Sequence, residues 1–321
     1  MSKVVVFNIR KGNFEQGFPV TLLISEEGKT YYFEKEGYFP SAPTLPKLYR
    51  SFQENYKNLA SVQKVINSKS QPRILKIDTA QTTNFSSTEN CKEATRKLEV
   101  YLRQWFQQTD IVLLRQYVQE EIGKDELARI IFQTNNEILN KLPWHLWELF
   151  TNRRKAWLSL AAKRAQPSTP LKTPIKILAI LGDDKGINLD IDISLLNNLR
   201  GAKIQPLKNP TPKQLCDSLR QEKPWDILYF AGHSYSQNDS NDGVIQINDI
   251  DTLSIAELRN AFRKAIENGL KLAIFNSCDG LGLANKMAEL GIPQVIVMRE
   301  PVPDEVAHDF LQVFLRSFFY R

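Results

Sequence analysis

From residue 175 onward, short apolar runs alternate with stretches that repeat at helical spacing, and this rhythm leaves few architectures open. The apolar runs fall at 175–181, 227–231, 272–275 and 294–298. Helical stretches lie between them at about 194–199, 211–220, 254–268 and 283–290. Runs this short, with no polar residue alternating through them, suit strands covered on both faces, as in a parallel sheet between helices. The predicted fold class is therefore α/β, a doubly wound, mostly parallel sheet flanked by helices. A hairpin over 244–247, turning at 248–251, reads as an insertion after the second strand. A last helix is predicted over 304–319, apolar at Val306, Phe310, Val313, Phe314 and Phe318.

The first half of the chain has a different character. β-branched and aromatic runs at 4–9, 19–24 and 30–33, separated by Gly12, Gly17 and the Glu26-Glu-Gly-Lys29 turn, predict a small antiparallel sheet. A helix follows over about 48–66, then a polar, Ser/Thr-rich passage over 68–90 that reads as a linker or long loop. A second helix starts near Ser87 and carries Ala94, Leu98, Leu102 and Trp105 on one face. A strand is predicted at 127–134 and a helix opening at Pro143, with His145 as a structural residue between Trp144 and Trp147. The prolines of 166–174 mark a boundary. The expected organisation is thus 1–85, a β-rich then helical region for recognition or regulation; 86–165, a helical and β segment; 166–174, a linker; and 175–321, an α/β domain.

At 321 residues, 42% hydrophobic and 24% charged, the chain has enough material for two modest cores. Its net charge of +6 is concentrated in Arg153, Arg154, Lys155, Lys163, Arg164, Lys172 and Lys176. With no aromatic residues interleaved for base stacking, this cluster predicts a solvated face and linker, and no nucleic-acid partner. Three cysteines, Cys91, Cys216 and Cys278, cannot all pair and show no zinc-binding spacing, so no metal or other cofactor is expected and a reducing cytoplasm is. No segment approaches the roughly 18 apolar residues of a membrane span, and residues 1–7 are too short for a signal peptide.

Two side chains at strand ends carry chemistry. His233 follows the 227–231 run, and Cys278 follows the 272–275 run and precedes a helix N-terminus, where backbone N–H groups and the helix dipole favour a thiolate. In open α/β sheets the carboxyl ends of the strands form the crevice where ligands bind, so both side chains are expected at one site. A thiolate attacks, and an imidazole carries the proton that the leaving amine requires. Backbone N–H groups of Cys278 and of Ser234 or Gly232 are the candidate oxyanion donors. Taken singly, a cysteine in a strand-end loop also reads as a small buried hydrophobe.

Phe230-Ala-Gly-His233 and Asn276-Ser-Cys-Asp-Gly280, in this order, resemble the His and Cys boxes of caspase-like (clan CD, separase-related) cysteine peptidases, and specifically of the CHAT-domain family. Leu142-Pro-Trp144, Leu189-Asp-Ile-Asp192, Val297-Met-Arg-Glu-Pro301 and Asp304-Glu-Val-Ala307 are similar to further segments of that family. The likeness spans about 125–321 and stops short of the family's usual C-terminal extent, as a fragment would. It implies a caspase-like fold and hydrolysis of peptide bonds in a protein or peptide substrate, with Cys278 as nucleophile and His233 as proton carrier. A regulatory partner or fused domain is implied as well. Caspases place glycine directly after the histidine; here that position is Ser234, with Gly232 before it. The resemblance further puts Asp183, Asp184 and Asn276 around the pocket for the residue preceding the cut. Carboxylates there favour a basic residue, and Lys163-Arg164 becomes a site for self-cleavage; the alternative for Asp183 and Asp184 is a solvated turn. The alternative function is a catalytically silent scaffold or signalling module.

Overall fold

The computed structural model describes residues 2–59, 62, 88–151, 156–160, 171–185, 187–222, 224–236, 243–277 and 280–319. Cys278, the Lys163-Arg164 pair, Arg153 to Lys155, and most of the 68–90 passage and of the 166–174 linker lie outside these residues. By internal contacts the chain divides into two compact units, 1–59 with 82–161, and 60–81 with 162–321.

In the first unit, strands β1 (Lys3–Ile9), β2 (Phe18–Glu26) and β3 (Phe33–Phe39) form the predicted antiparallel meander. Helices α1 (Leu45–Lys57), α2 (Thr88–Trp105) and α3 (Thr109–Glu121) follow. The sheet is larger than the meander. Strand β4 (Ala128–Gln133) pairs in parallel with β1. After the short helices α4 (Glu137–Lys141) and α5 (Glu148–Thr151), β5 (Ala156–Leu160) pairs in parallel with β4, giving the order β3-β2-β1-β4-β5. A single sheet thus takes strands from both sides of residue 85. Its core is aromatic: Phe7 stacks on Phe132 with ring centroids 5.1 Å apart, and Phe132 on Trp144 at 4.1 Å. Trp144, Trp147, Trp105 and Phe39 are fully or almost fully buried around them. The exposed His145 between the two tryptophans points the other way, as a short helical turn requires.

The second unit is the predicted α/β layer structure. Its elements are β6 (Ile175–Leu181), α6 (Leu189–Asn197), β7 (Ala202–Lys208), α7 (Pro212–Leu219), β8 (Ile227–Ala231), a small antiparallel sheet of β9 (Ser234–Ser236), β10 (Gly243–Gln246) and β11 (Thr252–Ser254), then α8 (Arg259–Glu267), β12 (Leu272–Asn276), α9 (Leu281–Glu289), β13 (Gln294–Val297) and α10 (Asp304–Phe319). The five long-range strands are all parallel, in the order β13-β12-β8-β6-β7. One face packs Leu178, Leu228, Phe230 and Phe275 against α7, α8 and α9. The opposite face packs Ile177, Tyr229 and Ile274 against α6 and α10. Helices on both faces make the sheet doubly wound, a caspase-like arrangement.

Strand β7 was not foreseen. Its sequence, AKIQPLK, is polar and contains proline, which suits an edge strand exposed along one side and nowhere else in a sheet. By placing β7 beside β6 and sending the chain back to β8 on β6's other side, it creates a reversal of strand order between β6 and β8. The buried stripe of α10 matches the predicted one only in part: Phe314 and Phe318 pack partly buried against the core, Val306, Phe310 and Val313 are exposed, and the fully buried residues are Ala307, Leu311 and Leu315. The helix carries two apolar stripes, and the one that packs is the one that also brings His308 inward.

Candidate active site

The register of the sheet places the site. Leu181, Ala231 and Asn276 are side by side at the carboxyl ends of β6, β8 and β12, and the amide of Gly182 still donates to Ala231 O at 2.8 Å. Gly232 and Ser277 follow directly beyond the ends of β8 and β12, and His233 comes next after Gly232. Gly232 adopts φ +150°, and a Cβ there would stand 3.1 Å from Phe230 Cζ and 3.2 Å from Gly182 Cα. The turn that re-aims the chain into His233 is therefore one that glycine makes without strain.

His233 is 1% exposed. Its backbone is fixed by the amide of Gln246, which donates to His233 O at 2.9 Å. Its ring Nε2 lies 2.9 Å from the carbonyl oxygen of Lys185, in the loop after β6. A carbonyl only accepts, so Nε2 carries the proton and Nδ1 the basic lone pair in the neutral ring. The neighbouring Ser234 donates through Oγ to Ser277 Oγ at 2.8 Å, both side chains being buried. This bond ties the residue after His233 to the residue before Cys278. Ser234 faces Ile245 across the β9–β10 pair, adjacent to the hydrogen-bonded His233–Gln246 position. In the alternation of an antiparallel ladder this directs the Ser234 amide away from β10. Asn209 is the one non-glycine residue with positive φ among the described residues, so the serine backbone is relaxed where caspases have glycine.

The chain re-enters the described residues at Gly280, whose amide donates to Met298 O at 3.0 Å beside β13. A Cβ on Gly280 would meet Val297 Cβ at 2.4 Å. Ser277, through Ser234, and Gly280, through Met298, are thus each held close to the sheet.

Beside these positions lies a small cleft with walls of Ile187, Leu189, Ala231, Val302 and Ala307. Its polar lining is Asp192, Asn276, Ser277 and Asp304. Asp192, 1% exposed, is the hub: Oδ1 accepts from the Tyr229 hydroxyl and from Asn276 Nδ2 at 2.7 Å, and Oδ2 lies 3.1 Å from His308 Nε2. Asn276 Nδ2 also reaches the Tyr229 oxygen at 3.1 Å. Asp304 Oδ1 is 3.6 Å from His308 Nε2, and its Oδ2 accepts from the Asn188 amide at 2.9 Å, joining the first turn of α10 to the start of α6. Burial, and then the Asp192 charge, push the Tyr229 hydroxyl well above its ordinary value, so it stays a donor.

Of the residues expected to bind substrate, Asn276 lines the cleft. Asp183 is buried and accepts from Gln246 Nε2 at 3.1 Å, and Asp184 is exposed; neither is among the residues lining the cleft. Asp192, Tyr229, Asp304 and His308 had no assigned role. A signal was present for two of them: Asp192 falls on the Leu189–Leu196 stripe of α6, and His308 on the Ala307–Leu311–Leu315 stripe of α10, positions where an apolar residue is the rule.

Residues 172–319 match the family model described as CHAT domain. No curated protein matches the chain. Among the described residues no helix is long and apolar enough to cross a membrane.

Proposed function

Because residues 172–319 form a CHAT domain, a caspase-like family, we propose that this chain is a cysteine endopeptidase that makes limited cuts in a partner protein through Cys278 and His233. The observation that carries the reading is the Ser234–Ser277 hydrogen bond at the ends of adjacent parallel strands, because it draws the chain positions next to the thiol and the imidazole together. His233 takes the Cys278 thiol proton on Nδ1, and the thiolate so formed attacks the scissile carbonyl carbon to give a tetrahedral intermediate. Its oxyanion is held by the backbone N–H groups of Cys278 and of Ser234, or of Gly232 on the other side of the histidine. His233 then gives its proton to the departing amine as the C–N bond breaks, leaving a thioester. Water, deprotonated by His233, attacks the thioester, releases the acid product and restores the thiol. The Lys185 carbonyl serves as the orienting third group, holding the ring in one tautomer. On this reading residues 1 to about 161 recognise or regulate, and the enzyme works in the cytoplasm, where Cys91, Cys216 and Cys278 stay reduced.

The test is covalent labelling of the full chain with a panel of peptidyl chloromethyl ketones, followed by mass spectrometry. One adduct is expected, on Cys278, absent from Cys278→Ala protein and slowed about 10²–10⁴-fold in His233→Ala protein. Equal behaviour of wild-type and Cys278→Ala protein at every pH would instead establish the alternative, a silent scaffold that keeps the fold and acts by binding.

A further inference from the structure

We propose that Asp183 and Gln246 are positioning residues for His233: the hydrogen bond between their side chains clamps the loop after β6 to β10 and so holds the Lys185 carbonyl against the imidazole. This rests on the peptidase reading for the proton transfers of His233, whereas the clamp itself is a property of the fold. The geometry is a closed circuit. His233 Nε2 lies 2.9 Å from Lys185 O. Two residues back along the chain, Asp183 Oδ2 accepts from Gln246 Nε2 at 3.1 Å. The Gln246 amide in turn donates to His233 O at 2.9 Å, which closes the circuit on the residue where it began. Gln246 therefore holds His233 twice, directly by its backbone and indirectly through Asp183.

The loop needs such a hold. Asp184 and Lys185 are exposed and belong to no helix or strand, and the bond from the Ile187 amide to Asp184 O only turns the chain on itself. Asp183, 4% exposed, is the buried anchor of this stretch. The chain leaves β6 in contact with β10, since a Cβ on Gly182 would collide with Gln246 O, and the Asp183 side chain extends that contact. Strand β10 is a firm support: it is the middle strand of β11-β10-β9, and Gly243 at its start packs against Leu283 of α9. A carboxylate buried this deeply is costly unless it accepts hydrogen bonds, and its side-chain partner among the described residues is Gln246. Asp183 is not among the residues lining the cleft, so its carboxylate acts on the loop and not on a bound substrate. Without the clamp the Lys185 carbonyl leaves Nε2, and the ring is free to rotate and to exchange tautomers. Nδ1 is then no longer fixed as the basic nitrogen.

The test uses the full chain in two measurements. The chain has three histidines, so in protein labelled with ¹⁵N-histidine the His233 signal is identified by its absence from His233→Ala. Wild type should show a slowly exchanging Nε2–H proton on His233. Asp183→Ala and Gln246→Ala should lose it to exchange with water, while Asp183→Asn, whose Oδ1 still accepts from Gln246, should keep it. The second measurement is alkylation of Cys278 by a peptidyl chloromethyl ketone. Asp183→Ala should lower the limiting rate at saturating reagent about 10- to 100-fold, with the half-saturating concentration within about twofold of wild type, and Asp183→Asn should recover most of the rate. A substrate-contacting Asp183 would instead raise the half-saturating concentration, and Asp183→Asn would not repair it. Gln246→Glu alone sets two carboxylates face to face and should lose both signals at neutral pH. Combined with Asp183→Asn, it exchanges donor and acceptor and should regain them. Absence of labelling in wild type removes the peptidase reading and leaves the imidazole proton to decide the clamp. An Nε2–H proton missing from wild type, one equally protected in Asp183→Ala, or losses that neither Asp183→Asn nor the exchanged pair recovers would overturn the proposal. Should Asp183→Ala fail to fold, Gln246→Ala, at a half-buried position, carries the same prediction.

Discussion

Tyr229 lies on the central strand of the second unit with no exposed surface, and its one polar atom faces a buried carboxylate. A phenol in that place must keep its proton, since ionisation would set two negative charges side by side away from water. The consequence for stability has a definite sign. In the unfolded chain the group titrates near 10.0, and in the fold well above it. Below about pH 10 both states hold the proton and the stabilisation is intact; above it the unfolded chain releases the proton first, and stability falls as pH rises toward the raised value. Tyr229→Phe should lower stability at neutral pH by the roughly 1.5–3 kcal/mol that a hydrogen bond to a charged group contributes, Asp192 Oδ1 keeping Asn276 Nδ2 as its remaining donor. It should also lose less stability than wild type between pH 9 and the onset of alkaline unfolding, as read by calorimetry across that range. Parallel pH profiles for the two proteins would refute the linkage.

Among the elements, α10 shows where sequence reading succeeds and where it stops. Its bounds and the strands β6, β8, β12 and β13 were legible, because an unbroken apolar run and a 3.6-residue repeat each follow from burial within one element. His233 was legible as a strand-end residue for the same reason. Which of two apolar stripes packs is decided by the partner surface, and a stripe of Val306, Phe310 and Val313 looks as suitable as Ala307, Leu311 and Leu315 until α6 and the sheet are in place. The Asp192–His308 pairing was illegible on similar grounds: each residue alone resembles an ordinary polar residue, and only the fold brings them within 3.1 Å. Strand β7 escaped because an edge strand need not be apolar. The assignment of stripes is testable. Leu311→Ala should destabilise by about 2–5 kcal/mol, whereas Val313→Ala, at a position 65% exposed, should stay within about 0.5 kcal/mol of wild type in urea titrations.

At the scale of the molecule the chain carries two separate cores, one aromatic around Phe7, Phe132 and Trp144, the other lying on both faces of the parallel sheet. Each is built from residues of its own unit. Phe132→Ala, which removes a ring stacked on both Phe7 and Trp144, should cost its unit about 3–5 kcal/mol. Hydrogen exchange should then quicken at the amides of β1 and β4 while those of β8 and β12 keep their protection; equal loss in both sheets would show that the cores melt together. The second core has its own history of assembly. The hub carboxylate at Asp192 is bonded to an imidazole 116 positions further along the polymer, in a helix that packs after every strand of the sheet has been made. During synthesis, a nascent polypeptide still holding that helix in the ribosomal tunnel has no finished cleft; the cleft closes around its hub only once translation has carried residue 308 into the open.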